Sequence, residues 1–336
     1  MDFPETYKRV VAVKHVKDFR AACEIQEVPF PTPGPKEIVI RNRFAGANAS
    51  DLMMAAGQYL LPTPLPCPMG AEAVGEVVLV GDEVEGIKVG DSVLVNAIGA
   101  GYTEYFVSKA KPAVPIPAAT PEIMSLSIGG LTASVALEET GEMTTGETVL
   151  VTAAAGGTGQ FAVQLAKLAG NHVIGTCSTQ EKADLLRSLG CDRVVNYKEE
   201  NLHTVLKEEY PRGVDIVFEG VGTAMFDTAL RHLARYGRLI TIGFISEYKE
   251  EPDTITDVRV YYKILGKMAS IRGFNLNLYF GKPVLAEHMM KLVSLLNEGK
   301  LQVSLDPTPF KGVEAAIDAV EHLHAGKNSG KVIVTY

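Results

Sequence analysis

The sequence predicts an α/β protein in which a β-rich domain precedes a six-stranded parallel sheet with helices on its faces. Three observations predict it. From Lys8 to about Val114, short β-rich runs are split by glycine and proline, as in Glu37-Ile38-Val39-Ile40-Arg41 and Ala73-Val74-Gly75-Glu76-Val77-Val78. After a proline-rich link over 112–121, strand-length apolar runs alternate with helical stretches. Between an apolar run and a helical one lies Ala153-Ala154-Ala155-Gly156-Gly157-Thr158-Gly159.

In order along the second half, Val149-Leu150-Val151 reads as a strand, the small-residue run as a tight turn, and Gln160-Phe161-Ala162-Val163-Gln164-Leu165-Ala166-Lys167 as a helix. Strands are expected over 148–153, 172–177, 193–196, 215–219, 238–243 and 268–274. The helix expected over 179–189 puts Ala183, Leu186 and Leu189 on one face, with Thr179 to cap it and Gly190 to end it. Six strands in this rhythm make a Rossmann sheet. Further helices are expected near 284–298 and 313–325, and Val332-Ile333-Val334 is expected to return to the first domain. The boundaries read from the sequence are 1–124 for the β domain, 125–274 for the Rossmann domain and 275–336 for the return.

The glycine-rich turn carries the first functional signal. A pyrophosphate reaches backbone N–H groups at a helix start only where side chains are absent, and the helix dipole then favours its charge. The competing phosphate loop ends in Gly-Lys-Ser/Thr, whereas this run continues Gly159-Gln160-Phe161. A dinucleotide phosphate site is therefore expected, with Gly156, Gly157, Thr158 and Gly159 as its contacts.

Composition narrows the remaining classes. With 46% hydrophobic and 21% charged residues among 336, the chain has apolar material for two cores. A net charge of -8 and the lack of a Lys/Arg cluster argue against nucleic acid as a partner. No stretch reaches the roughly 20 apolar residues of a membrane span, and Met1-Asp2-Phe3-Pro4-Glu5 lacks the layout of a secretory leader. A cytoplasmic location is the expectation. Cys23, Cys67, Cys177 and Cys191 are too scattered for a metal motif and read as reduced packing residues. A hydrolase triad around Ser50 and Asp51 lacks the Gly-x-Ser-x-Gly elbow.

Val80-Gly81-x-x-Val84, then Val89-Gly90-Asp91-x-Val93, and Ala153-x-x-Gly156-x-x-Gly159 resemble the medium-chain dehydrogenase/reductase superfamily over nearly the whole chain. Within it the run 154–167, Ile242-Gly243-Phe244-Ile245-Ser246-x-Tyr248 and Gly326-Lys327-Asn328 resemble the zinc-independent prostaglandin reductase 3 type, a relative of quinone oxidoreductases. The resemblance implies a GroES-like β domain beside the Rossmann domain. It also implies pairing into a homodimer, as family members commonly pair sheet edges.

Zinc members of that superfamily bind metal through a cysteine near the first domain's Asp and through a Gly-His-Glu segment. Here those places read Gly46-Ala47-Asn48-Ala49-Ser50-Asp51 and Gly70-Ala71-Glu72. Neither carries a soft ligand, so no metal is expected. Hydride removal from an alcohol needs a metal or strong base for the alkoxide, whereas hydride addition to an enone spreads charge into an enolate that hydrogen-bond donors can steady. Reduction of the C=C bond of α,β-unsaturated ketones is the expected chemistry, with 15-oxoprostaglandin-like lipids implied as substrates. Quinone reduction is the alternative, and a non-catalytic, crystallin-like cofactor-binding protein is the reading from another class.

An NAD site usually ends its second strand in an acid that holds the ribose 2′-hydroxyl. Gly175-Thr176-Cys177-Ser178-Thr179-Gln180 has none before Glu181. Ser178, Lys182 and Tyr197 instead offer three donors to a 2′-phosphate, so NADPH is the expected cofactor. The resemblance places Gly220, Ile242 and Tyr248 along the nicotinamide ribose. It has Asn275-Leu276-Asn277 and Asn328 closing over the nicotinamide from the other domain, although Ile242 and Leu276 read equally as packing residues and Asn328 as a turn former.

The proton or hydrogen-bond donor to the substrate oxygen should be neutral at pH 7, which suits a phenol. Tyr248 is the first candidate, because it follows the fifth strand at the carboxyl end of the sheet. Tyr59, in Gly57-Gln58-Tyr59, resembles the active-site tyrosine of quinone oxidoreductases. Asn48 stands near the lost cysteine, where its amide either orients a carbonyl or forms a turn. Leu60-Leu61-Pro62 with Phe274, Leu278, Tyr279 and Phe280 would line an apolar substrate pocket or pack in the core.

Overall fold

The computed structural model describes residues 3–249 and 259–336. The chain forms two compact units, Met1–Ser127 with Leu305–Tyr336, and Ile128–Ser304.

In the first unit, strands β1 (Thr6–Ala12), β2 (Cys23–Pro29), β3 (Glu37–Gly46), β4 (Cys67–Pro68), β5 (Glu72–Val80), β6 (Ser92–Asn96), β7 (Tyr105–Lys109) and β8 (Val114–Pro115) pair antiparallel with one another. β3 is the organising strand, with Ile38, Val39 and Ile40 buried along it. Ile38 and Ile40 pack against Val77, Val93, Val95, Ala100 and Ala113. β3 and β5 slip in register between Asn42 and Phe44, and Gly75 sits at that slip because a Cβ there would come within 2.3 Å of the Arg41 carbonyl oxygen.

In the second unit, β9 (Thr148–Val151), β10 (His172–Cys177), β11 (Arg193–Asn196), β12 (Val214–Glu219), β13 (Leu233–Thr241) and β14 (Ser270–Gly273) form one parallel sheet in the order β11-β10-β9-β12-β13-β14. The order reverses between β9 and β12. That reversal is the switch point beside which ligands bind in open α/β sheets. Leu150, Ile174, Val195, Val217 and Leu239 from five strands make a continuous buried layer beneath the helices. The six expected strands are all present. The fifth begins five residues early, at Leu233, because β13 bulges around Tyr236 (φ 62°) while β12 advances from Val214 to Ile216.

Two segments differ from the sequence reading. Residues 121–140 are helical throughout, with π-type turns over Leu126–Gly130 and Ala136–Thr140, and the boundary between units falls inside this segment. The segment after 274 does not leave at once: the helix Pro283–Asn297 packs on Leu131–Val135, where the Ser134 hydroxyl lies 2.7 Å from His288 Nδ1, and the second unit ends only at Ser304. The chain then adds β15 (Phe310–Lys311) and β16 (Ile333–Thr335), the latter antiparallel to Phe44–Gly46 of β3. Among the described residues, no helix is long and apolar enough to cross a membrane.

Candidate active site

The expected cofactor contacts of the second unit follow the carboxyl ends of its six strands. After β9, Ala153 adopts φ 46°, its N–H bonding the Thr176 hydroxyl at 3.2 Å, and the chain turns into the helix Gly159–Leu168. A Cβ on Gly159 would stand 2.5 Å from the Ala153 carbonyl oxygen, so only glycine lets helix and strand approach this closely. The helix start has neither a side-chain cap nor an acid in its first turn. It therefore fits an anion such as a dinucleotide pyrophosphate.

At the next two strand ends, Tyr197 N–H bonds the Cys177 carbonyl at 3.0 Å, which sets the residue after β11 beside the end of β10. Thr179 caps the helix Gln180–Ser188 through the Lys182 amide at 3.3 Å. Burial pushes the Cys177 thiol up, against the smaller opposing pull of the Lys182 ammonium nearby. Ser178, Lys182 and Tyr197 thus belong to one corner of the sheet. The acid in that corner is otherwise engaged: Glu181 is held below the usual carboxylate range by its own backbone N–H and by the Thr179 hydroxyl.

Across the switch point, β12 ends in Glu219, fully buried, followed by Gly220. Ile242 N–H bonds the Glu219 carbonyl at 2.8 Å, drawing the turn after β13 onto it. Tyr248 closes that turn, buried edge-on against Phe244 with ring centroids 5.0 Å apart. Its phenol oxygen lies 3.2 Å from where a Cβ on Gly243 would be, so the glycine makes room for it. After β14, the Asn275 side chain accepts the Asn277 amide at 3.0 Å and Leu276 is buried. These three residues belong to the same unit as the Rossmann sheet, not to the other domain as the resemblance had it. Phe274 stacks on Tyr279, while Leu278 and Phe280 are exposed.

Asn48, Tyr59 and Asn328 lie in the first unit. Asn328 donates to the Gly330 carbonyl at 3.0 Å, in a turn anchored where the Asp306 carboxylate takes the Ser329 amide at 2.9 Å. Tyr59 is half-buried just beyond the short helix Ser50–Ala55, and Leu60 and Leu61 beside it are exposed. The Asn48 amide is engaged at both of its polar atoms. Its Nδ2 donates to Glu72 at 2.9 Å and its Oδ1 accepts from the Lys331 ammonium at 2.8 Å, the orientation the two charges require.

That contact is part of a buried polar cluster the sequence did not reveal. Lys331 pairs with Glu72 at 2.6 Å, both almost fully buried, beneath Gly46, where a Cβ would stand 2.3 Å from Glu72 Oε1. Next to it Asp51 accepts the Tyr102 hydroxyl at 2.5 Å and the Asn48 amide at 2.9 Å, while its other oxygen is unpartnered. Burial pushes the Asp51 carboxyl up to about 7. A zinc ion does not fit this donor set: Asn48 and Ala71 stand at the two ligand places, and a lysine ammonium already occupies the carboxylate. Among the described residues, no three His, Cys, Asp or Glu side chains gather where they could hold a metal.

Comparison with known proteins agrees with this architecture. Residues 34–145 match the alcohol dehydrogenase GroES-like domain and residues 157–296 match the zinc-binding dehydrogenase family. The chain is 45% identical to prostaglandin reductase-3 of Mus musculus over 98% of its length and 90% of that protein's. It is 41% identical to a probable quinone oxidoreductase of Leishmania amazonensis over 99% of each. The crystal structure of Escherichia coli quinone oxidoreductase complexed with NADPH superposes with a TM-score of 0.86 at 30% identity, covering 98% of this chain and all of that one. The chain belongs to the medium-chain dehydrogenase/reductase family.

Proposed function

We propose that this protein is an NADPH-dependent, zinc-independent oxidoreductase that reduces the C=C bond of α,β-unsaturated ketones, with oxo-lipids of the 15-oxoprostaglandin type among its substrates. The observation that carries the reading is the corner formed by Ser178, Lys182 and Tyr197, which offers a hydroxyl, an ammonium and a phenol to a 2′-phosphate while Glu181 is turned to its own helix start. The name and identity of the murine relative support the substrate class. The NADPH in the Escherichia coli enzyme supports the cofactor.

The residues act as follows. Gly156, Gly157, Thr158 and Gly159 receive the pyrophosphate at the helix start, and Gly220, Ile242, Asn275, Leu276 and Asn277 bound the nicotinamide end. NADPH held there would supply the hydride for the β-carbon of an enone. The Tyr248 phenol would hydrogen-bond the carbonyl oxygen as charge moves onto it, and a proton drawn from water would end on the α-carbon of the enolate, leaving the phenol neutral and the product a saturated ketone. Exposed Leu278 and Phe280 suit an apolar substrate chain. Quinone reduction is the second reading, favoured by the name of the Leishmania relative. A homodimer formed through β14, one of the two outer strands of the sheet and the one that exposes Ile271, is part of the proposal.

NADPH consumption against a graded panel, from small enones through quinones to long oxo-lipids, tests the reading. Enone-dependent oxidation of NADPH, unchanged by a chelator, is expected. Tight NADPH binding with no turnover across the panel would leave the crystallin-like alternative standing.

A further inference from the structure

We infer that Glu219 is a positioning residue for Tyr248, acting through the backbone of the turn 220–222; the inference rests on the reading of Tyr248 given above. Glu219 ends β12 and Thr152 follows β9, the two central strands between which the sheet order reverses. An acid closing the buried run Val214–Glu219 is costly to desolvate, and its carboxylate is met by donors on every side. One oxygen accepts the amides of Val221 at 2.8 Å and Gly222 at 3.1 Å and the Thr152 hydroxyl at 3.3 Å; the other takes Gly222 again at 3.2 Å. The Thr152 oxygen accepts the Gly220 amide at 3.0 Å. All three N–H groups of the turn therefore end on the side chains of Thr152 and Glu219.

The opposite edge of the turn holds the segment that carries Tyr248. The Gly220 carbonyl accepts Ile245 N–H at 3.1 Å, and the Val221 carbonyl accepts both Ser246 N–H at 3.1 Å and the Ser246 hydroxyl at 2.5 Å. Gly222, at φ 88°, lets the two turns approach closely, since a Cβ there would meet Phe244 and Glu247 at 3.1 Å. Phe244 in turn flanks the Tyr248 ring. A continuous chain of hydrogen bonds thus runs from two buried side chains, through one turn, into the next turn, where the packing of Phe244 carries it to the Tyr248 ring. An apolar residue at 219 would orphan two amides and release that chain at its root.

The test is a double-mutant cycle on the whole protein, with kcat for enone reduction as readout. Glu219→Ala is expected to lower kcat about tenfold, because misplacing a reacting group by about an ångström costs at least that. In a Tyr248→Phe background the same change is expected to cost less than about twofold, because Glu219 acts only through the placement of the phenol that this background lacks. Glu219→Gln, whose carbonyl oxygen can replace the main acceptor, should stay within about threefold of the native rate. Where Glu219→Ala fails to fold, Thr152→Val, which removes the acceptor of the Gly220 amide and one donor to Glu219 but keeps the carboxylate that holds Val221 and Gly222, enters the same cycle with the same expected non-additivity. Additive losses, or a native kcat in Glu219→Ala, would overturn the inference and leave the function reading intact. A native kcat in Tyr248→Phe would overturn the donor role of Tyr248 and this inference with it.

Discussion

Asp51 is a fully buried carboxyl group with one oxygen hydrogen-bonded and the other bare, and its environment sets a pH response of the fold. Desolvation raises it from 3.8 to about 7, with the Tyr102 hydroxyl, the Asn48 amide and the Lys331 ammonium pulling the other way. The sign follows from linkage: between those two values the folded chain holds a proton that the unfolded chain releases, so stability falls as pH rises. The contribution is complete below about pH 4 and gone once the pH has passed about 7. At about 1.4 kcal/mol per unit, this amounts to roughly 4 kcal/mol. Asp51→Asn keeps an acceptor for Tyr102 and Asn48 and puts an amide where the bare oxygen was. Chemical denaturation from pH 4 to 8 is expected to show the native protein losing that stability relative to the variant; parallel profiles would remove Asp51 as the origin. The neighbouring pair obeys a different rule. Lys331 and Glu72 attract across 2.6 Å in a buried site, so losing either partner strands a buried charge.

The helix Gly159–Leu168 has a second duty besides its N-terminus. Buried Gln160 and Gln164 each donate and accept as a backbone unit does: Gln160 bonds Ser304 N–H at 2.6 Å and the Ser304 carbonyl at 2.9 Å, and Gln164 bonds Gln302 in the same manner at 2.8 and 2.9 Å. One turn of helix matches two residues of extended chain closely enough for this pairing. Gln160→Met should orphan the Ser304 amide and cost about 1–3 kcal/mol. Faster hydrogen exchange at Ser304 and Gln302 is the local signature, and unchanged exchange would show that the pairing is dispensable. Neither glutamine announced this, because their partners lie far along the chain. The same holds for Lys331 with Glu72. What the sequence does make legible is local: His172–Cys177 and Arg193–Asn196 were readable to the residue, because each is an apolar run bounded by turn signals. Thr179 and Gly190 were readable as helix ends for the same reason. Residues 121–140 were not, since π-type turns break the helical period that a pattern search needs. The glycine turn and the acid-free strand end were visible as motifs. Glu219 left one trace, a carboxylate at the close of an otherwise buried strand, whose meaning needed the turn it holds.

At the scale of the whole chain, two compact units, one of them discontinuous and closed by β16 on β3, make a single two-state transition an unsafe description of unfolding. The helix start at Gly159 and the corner of Ser178, Lys182 and Tyr197 both belong to Ile128–Ser304, so a nucleotide held there should raise the transition of that unit. By mass action, NADPH at a hundred times its Kd adds about 2.7 kcal/mol. Lys182 is expected to supply a charge-assisted bond to the 2′-phosphate worth about 1.5–3 kcal/mol. Lys182→Ala should then weaken NADPH roughly 10- to 150-fold, since each 1.4 kcal/mol is a factor of ten. At the same NADPH concentration the stabilisation falls to about half or less. NADH, which has no 2′-phosphate, should bind native and variant proteins alike. Calorimetric melting with each nucleotide reads both quantities in one experiment. Equal weakening of NADPH and NADH would remove Lys182 from the phosphate corner, and a shift with NADH as large as with NADPH at equal concentration would reverse the assignment of cofactor.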